Sequence, residues 1–184
     1  MNALSVADLD WFQTEQLRHD AVAHPAIAGL PMRRQLVYFT LHFSKYQGRL
    51  LKALRSEEPE SVQRLITDSF IILLAAANAL GKSPRIAGAG RPTSVSHVRG
   101  SEALMCAYVE VVAEMSKACE AFDDSESFPS HTVLEACLST LIRIVMALAN
   151  AHAVPLFETV PHRWSQVERR ALANRRAARI ADVA

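Results

Sequence analysis

His42, Lys45 and Asp68 are the residues of this 184-residue chain whose types could do chemistry together. His42 and Lys45 stand three apart, so on a helix they share a face. Asp68 would meet them from the next helix. An imidazole beside a carboxylate can move a proton, but no nucleophile or third orienting group accompanies the pair. A lysine beside a carboxylate can form an ion pair or help to hold a phosphate. Glu110, Glu114 and Lys117 repeat the theme later in the chain. Two pairings are therefore expected, Lys45 with Asp68 and Lys117 with Glu114. Each can be read as a built-in cation at a binding site or as an ordinary structural ion pair.

Other residues of chemical interest are weaker. Gly88, Gly90, Arg91 and Pro92, flanked by Arg85 and Arg99, could cradle a phosphate, with Arg91 as ligand. They lack the Gly-Lys-Ser/Thr ending of a phosphate-binding loop, and a flexible connector is the simpler reading. His19 and His24 are five apart, whereas i and i+4 would suit a shared metal on a helix. They read as surface residues. Cys106, Cys119 and Cys137 form no metal or redox motif and read as buried free thiols.

Helices must position these residues. Half of the chain is hydrophobic, 21% is charged and only six residues are Gly, a composition that favours helix. The net charge of +1 gives no general pull toward nucleic acid or membrane. A first helix is expected from about Val6 to His19, capped by Ser5 with Asp8 behind it, Leu9, Phe12 and Leu17 facing inward. A second runs from about Met32 to Arg55 with an apolar stripe. A third, about Glu60 to Leu80, contains Phe70 to Ala77 without a polar face and belongs at the centre of a bundle, with Gly81 as its stop. After a loop from Lys82 to Gly100, helices follow at about Ser101 to Phe122 and Thr132 to Ala153. Pro155 and Pro161 then interrupt the chain before a short basic helix from Arg163. There, Trp164 and Val167 pack while the arginines meet solvent. Phe70 to Ala77 is far short of the roughly 20 residues of a bilayer span, and the N-terminus lacks a signal-peptide pattern. A cytoplasmic location without membrane contact follows as an expectation.

Laying the chain on itself at an offset of 72 residues places Ser44-Lys45 on Ser116-Lys117 and Ala77-Asn78-Ala79 on Ala149-Asn150-Ala151. A tandem duplication of one helix pair, forming a four-helix core, is the expected architecture of a single all-α domain over residues 1–184. The repeats cover 33–81 and 105–155, and 163–184 is a basic helix or tail.

The stretch from Leu65 through Asp68 to Asn78-Ala-Leu-Gly81 resembles the third helix of the all-α NTP pyrophosphatases, the MazG-like superfamily. Leu41 to Leu50 sits where that family carries its first metal motif. The resemblance implies a magnesium site built from an ExxE pair on one helix and an ExxD pair on the next, whose carboxylates converge on the cation. The chain departs from that pattern. His42 and Lys45 occupy the first pair, and Leu65 and Asp68 the second. In the other half Glu114 and Lys117 occupy the first pair, Cys137 and Thr140 the second. An ammonium near a dication is repelled by roughly several kcal/mol at an effective dielectric of ~20.

The expected function is therefore non-catalytic or regulatory binding of a nucleotide or phosphorylated small molecule through His42, Lys45, Asp68, Arg91 and Lys117, with no resident cofactor. The alternative is an active, magnesium-dependent NTP pyrophosphohydrolase using Asp68, Glu114 and Glu110, with His42 as a further candidate. A third reading is a helical-bundle interaction protein. A homo-oligomer is expected, and nucleic acid is not an expected partner, because Trp164 alone offers no stacking platform.

Overall fold

The computed structural model describes residues 5–82, 100–122 and 128–181. The loop bearing Arg85, Arg91 and Arg99 lies outside them, as does the polar break 123–127. Seven helices and no strand occur among the described residues. They are α1 (Val6–Ala23), α2 (Pro25–Ala28), α3 (Met32–Arg55), α4 (Pro59–Leu80), α5 (Ser101–Glu120), α6 (Ser130–Ala151) and α7 (Leu156–Ala181). The molecule is an all-α helical bundle.

Local chemistry accounts for the helix ends. Ser5 and Asp8 form a reciprocal capping box at the start of α1. Pro59 occupies the first turn of α4, where its missing N–H costs nothing. Three helices end in the same way. Glu57, Gly81 and Ala153 adopt left-handed backbone, and the next residue's N–H reaches back five residues, from Glu58 to Ala53, Lys82 to Ala77 and Val154 to Ala149. This is the double-bonded stop that satisfies the last carbonyls of a helix.

Helices α3 and α4 form one hairpin, α5 and α6 a second. The hairpins pack with α3 on α5 and α4 on α6. Positions 72 apart share their burial: Leu36 and Tyr108, Phe43 and Met115, Val62 and Leu134, Phe70 and Ile142, Leu73 and Val145, Ala77 and Ala149 are all buried. The stops of α4 and α6 are 72 apart as well, at Gly81 and Ala153. A duplicated hairpin would produce this arrangement.

Helices α1 and α7 pack against α4 and against each other. An aromatic cluster joins them. Phe12 lies 5.3 Å from Phe70, 5.1 Å from Phe157 and 6.1 Å from Trp164, ring centre to ring centre.

Four expectations need correction. Leu17 is 60% exposed rather than inward-facing. Cys106 is exposed, although Cys119 and Cys137 are buried and all three are free. Pro161 does not end a helix: α7 begins at Leu156 and runs through it. Near the helix start a proline breaks one backbone bond, and Val160 and Trp164, both buried, hold the segment against α1 and α4. Finally, the length of the apolar run does not dispose of a bilayer span. By length and composition α4 and α6 would each suffice to cross a membrane, and 67% and 50% of their most apolar windows are buried in the bundle.

Candidate functional site

The face of α4 that carries Asp68, Ile71, Ile72, Ala75 and Asn78 is lined up by helical periodicity. It does not meet α6. It lines a cavity of about 440 Å³ enclosed with α1, α2, α3 and α7. The walls are mostly apolar, and two polar groupings interrupt them.

The first grouping is Asp68, Arg163 and Tyr46. Arg163 of α7 donates from Nε to Asp68 Oδ1 at 2.7 Å and from Nη2 to Oδ2 at 3.1 Å, a bidentate fork. The side chains are only 20% and 10% exposed. The bond to Asp68 holds the Arg163 guanidinium even more firmly protonated than usual. Tyr46 stands beside them, and burial together with the Asp68 charge pushes its phenol up to about 12.

The expected partner of Asp68, Lys45, is elsewhere. Its ammonium lies 4.9 Å from the centre of the Tyr46 ring, and the side chain lines no part of the cavity. Desolvation and the neighbouring Arg49 lower its pKa, against a weaker pull from the Asp68 charge, with which it forms no ion pair. Arg163 wins Asp68 because α7 lays a rigid, two-donor fork directly over the carboxylate. Lys117 likewise does not pair with Glu114. It extends toward Phe128, 6.0 Å from that ring, and the ion pairs among the described residues do not include it.

The composite site of Asp68, Glu110 and Glu114 is not formed. Glu110 and Glu114 are exposed on α5, which packs on α3 and α6, whereas Asp68 faces α7. Glu114 lies close enough to Cys137 that its charge, added to burial, pushes that thiol up to about 11. Thr140 bonds back to Ala136 O.

The second grouping comprises His19, Asp20, His24 and His42. His19 is 4% exposed, so the surface reading is corrected for His19, while His24 is exposed. Helix α1 ends at Ala23, and the His24 backbone (φ −131°, ψ 45°) leaves the helical path. The two imidazoles therefore meet with ring centres 5.7 Å apart, which regular helical spacing would forbid. The ligand atoms of His19, Asp20 and His24 all lie within 4.8 Å of one another. His19 Nδ1 is 2.9 Å from Glu168 Oε1 of α7, and Asp20 Oδ1 accepts from Gln16 Nε2 at 2.8 Å. Gln16 in turn accepts from buried Trp164 Nε1 at 2.7 Å. Burial raises the Asp20 carboxyl. It lowers His24, helped by the charges of His19 and His42, and it lowers His42 itself.

His42 lines the same cavity as Asp68, on a ladder along α3. Tyr38 and His42 are 4.1 Å apart and His42 and Tyr46 6.2 Å apart, centre to centre. His42 Nδ1 donates to Tyr38 O at 3.0 Å, because a carbonyl can only accept.

A second hollow, of about 620 Å³, adjoins the first and shares Tyr46, Asp68 and Arg163 with it. Its walls are polar. Arg49, Lys52, Arg64 and Arg170 join Arg163 there, against Glu58 and Asp68. Sequence reasoning missed Arg163, Tyr46 and this basic cleft. Its arginines come from three helices and lie as far apart in sequence as Arg49 and Arg170, 121 residues, so no local motif announces them.

No protein-family model, no curated protein and no solved structure matches this chain.

Proposed function

We propose that this chain binds a phosphorylated small molecule of nucleotide size without hydrolysing it, its apolar or aromatic part in the cavity and its phosphate in the adjoining cleft. The observation that carries this reading is that the two spaces are neighbours, with Tyr46, Asp68 and Arg163 lining both. One is mainly apolar with a few polar groups, the usual composition of a ligand pocket. The other gathers five cationic side chains around two acids, one of which Arg163 already neutralises. Guanidinium groups suit phosphate oxygens through paired N–H donors.

The resemblance to the MazG-like pyrophosphatases supports a nucleotide as the ligand. The occupation of both Asp68 oxygens supports binding without turnover: a guanidinium sits where the resemblance implies a magnesium ion. Of the residues first considered for the phosphate, His42 and Asp68 keep a place in the cavity, while Lys45 and Lys117 lie outside it.

The test is thermal denaturation and calorimetry of the full chain with nucleoside mono-, di- and triphosphates, in chelator and in magnesium. A nucleotide at a hundred times its Kd should stabilise the protein by about 2.7 kcal/mol, in chelator as in magnesium. Arg64→Ala and Arg49→Ala should each weaken binding about tenfold and leave the unliganded melting point in place. Magnesium-dependent release of pyrophosphate, abolished by Asp68→Ala, would overturn the non-catalytic reading. Absence of any stabilisation at millimolar nucleotide would overturn binding altogether.

A further inference from the structure

His19, Asp20 and His24 form the one cluster of three metal-capable side chains among the described residues. Two imidazoles and a carboxylate make a nitrogen–oxygen donor set that suits a borderline divalent transition ion such as zinc. The surroundings of the cluster fit the same role. Histidine ligands are commonly oriented by a carboxylate on the second ring nitrogen. His19 has this arrangement: Glu168 engages Nδ1 at 2.9 Å and leaves Nε2 to coordinate. Asp20 is held in the same way, with Gln16 bonded to one oxygen at 2.8 Å and the other oxygen left over. Among the described residues no hydrogen bond engages either ring nitrogen of His24. His42 borders the same cavity with Nδ1 committed to Tyr38 O. His19 and Asp20 are thus each held by one partner with a second donor atom left over, and exposed His24 is free to turn toward them.

We propose that His19, Asp20 and His24 bind one divalent transition-metal ion, with Glu168 as the positioning residue for His19 and a fourth coordination site open to the cavity. The ion ties the last turn of α1 to His24 at the start of α2 and converts a half-buried wall of the cavity into a charged one. Three protein ligands with one open site is the pattern that lets a metal meet a ligand or water directly. This inference stands on its own geometry and does not depend on nucleotide binding.

Zinc and cobalt(II) are the probes, titrated into the full chain after chelator treatment. One equivalent should bind with Kd below about 1 µM, and cobalt should give the visible absorption of a four-coordinate site. Cobalt should also quench tryptophan fluorescence, since the Trp164 ring is stacked 6.0 Å from His19. His24→Ala, at an exposed position, should lose at least about a hundredfold in affinity, and Glu168→Gln about 10- to 100-fold. Circular dichroism of both variants without metal checks that they fold as the parent does. His131→Ala, an exposed histidine elsewhere, should change nothing. Stoichiometry other than one, wild-type binding weaker than about 100 µM, or full affinity retained in His24→Ala would each overturn the proposal. Nucleotide binding measured in chelator separates its failure from that of the binding function.

Discussion

Asp68 is a buried carboxylate whose two oxygens are both claimed by one guanidinium, and the energetics of that pair are asymmetric. Forming it stabilises the fold little, because two ions lose water. Breaking it from one side is expensive, because the other charge stays behind. Arg163→Ala should therefore lower stability in urea by about 2–3 kcal/mol, discounted from the usual cost of a fully buried pair for the 20% exposure of the arginine. Asp68→Asn added to Arg163→Ala should recover part of that loss, and strict additivity would contradict the pairing. The thiols give a second prediction at this scale. Cys106 is exposed and should react rapidly with a maleimide at neutral pH, while Cys119 and Cys137 react only as the protein opens. Burial raises both buried thiols, Cys137 to about 11. The sign follows from linkage: a raised acid is protonated longer in the folded chain than in the unfolded one. Its stabilising contribution is intact below the unfolded pKa and is lost as pH rises toward the folded one. Urea midpoints should thus be flat from neutrality to about pH 8.5 and fall toward pH 11. Cys137→Ala should flatten part of that fall.

At the scale of elements, the end of each hairpin carries a testable difference between the two halves. Gly81 and Ala153 occupy equivalent left-handed stops, with φ near +67° and +52°, yet only one is the residue that adopts this conformation without strain. Left-handed backbone costs an L-residue about 1–2 kcal/mol, of which the greater unfolded freedom of Gly returns about 0.4–1 kcal/mol. Ala153→Gly should stabilise the protein by roughly 0.5–1 kcal/mol, since Ala153 is exposed and loses no packing. Gly81→Ala should cost about 1 kcal/mol. A Cβ there meets nothing within 4 Å, so the backbone alone is tested. Opposite signs in denaturant melts are the expected result, and matching signs would refute the common stop. The elements were legible in the sequence where a rule is local. The Ser5 cap, the Pro59 start, the Gly81 stop and the apolar stripes of α3 and α4 each depend on residues within one or two turns. Legibility failed where distant segments decide. Arg163 reads as one more solvated arginine until α7 is seen lying on α4. His19 and His24 look badly spaced until α1 is seen to stop at Ala23.

At the scale of the molecule, the site arises from broken symmetry. Two similar hairpins offer two similar outer faces, one on α4 and one on α6. Helices α1 and α7 cover only the first, and they cover it incompletely, leaving the cavity. Position 68 is Asp in the covered face, while its counterpart 140 is Thr, and Ile71 has Arg143 as its counterpart 72 residues on. The face that α1 and α7 leave alone thus carries a cation where the one they cover is apolar. It follows that α7 has two parts with different duties. Leu156, Val160 and Trp164 are buried and Arg163 pairs with Asp68, whereas residues 172–178 are exposed, their main tie inward being the bond from Arg175 to Val22 O. Ending the chain after Leu172 should shift stability by less than about 1 kcal/mol and leave the cleft, with Arg170, intact. Ending it after Pro155 removes three buried apolar side chains worth about 1.5–3 kcal/mol each and strands Asp68 without its partner. That loss rivals the roughly 5–15 kcal/mol that holds a typical domain together. The shorter chain should be largely unfolded at 25 °C by circular dichroism, or should retain helix while losing cooperative melting. Were it to melt cooperatively near the parent's temperature, the four-helix core would be self-sufficient, and α7 would serve the cavity alone.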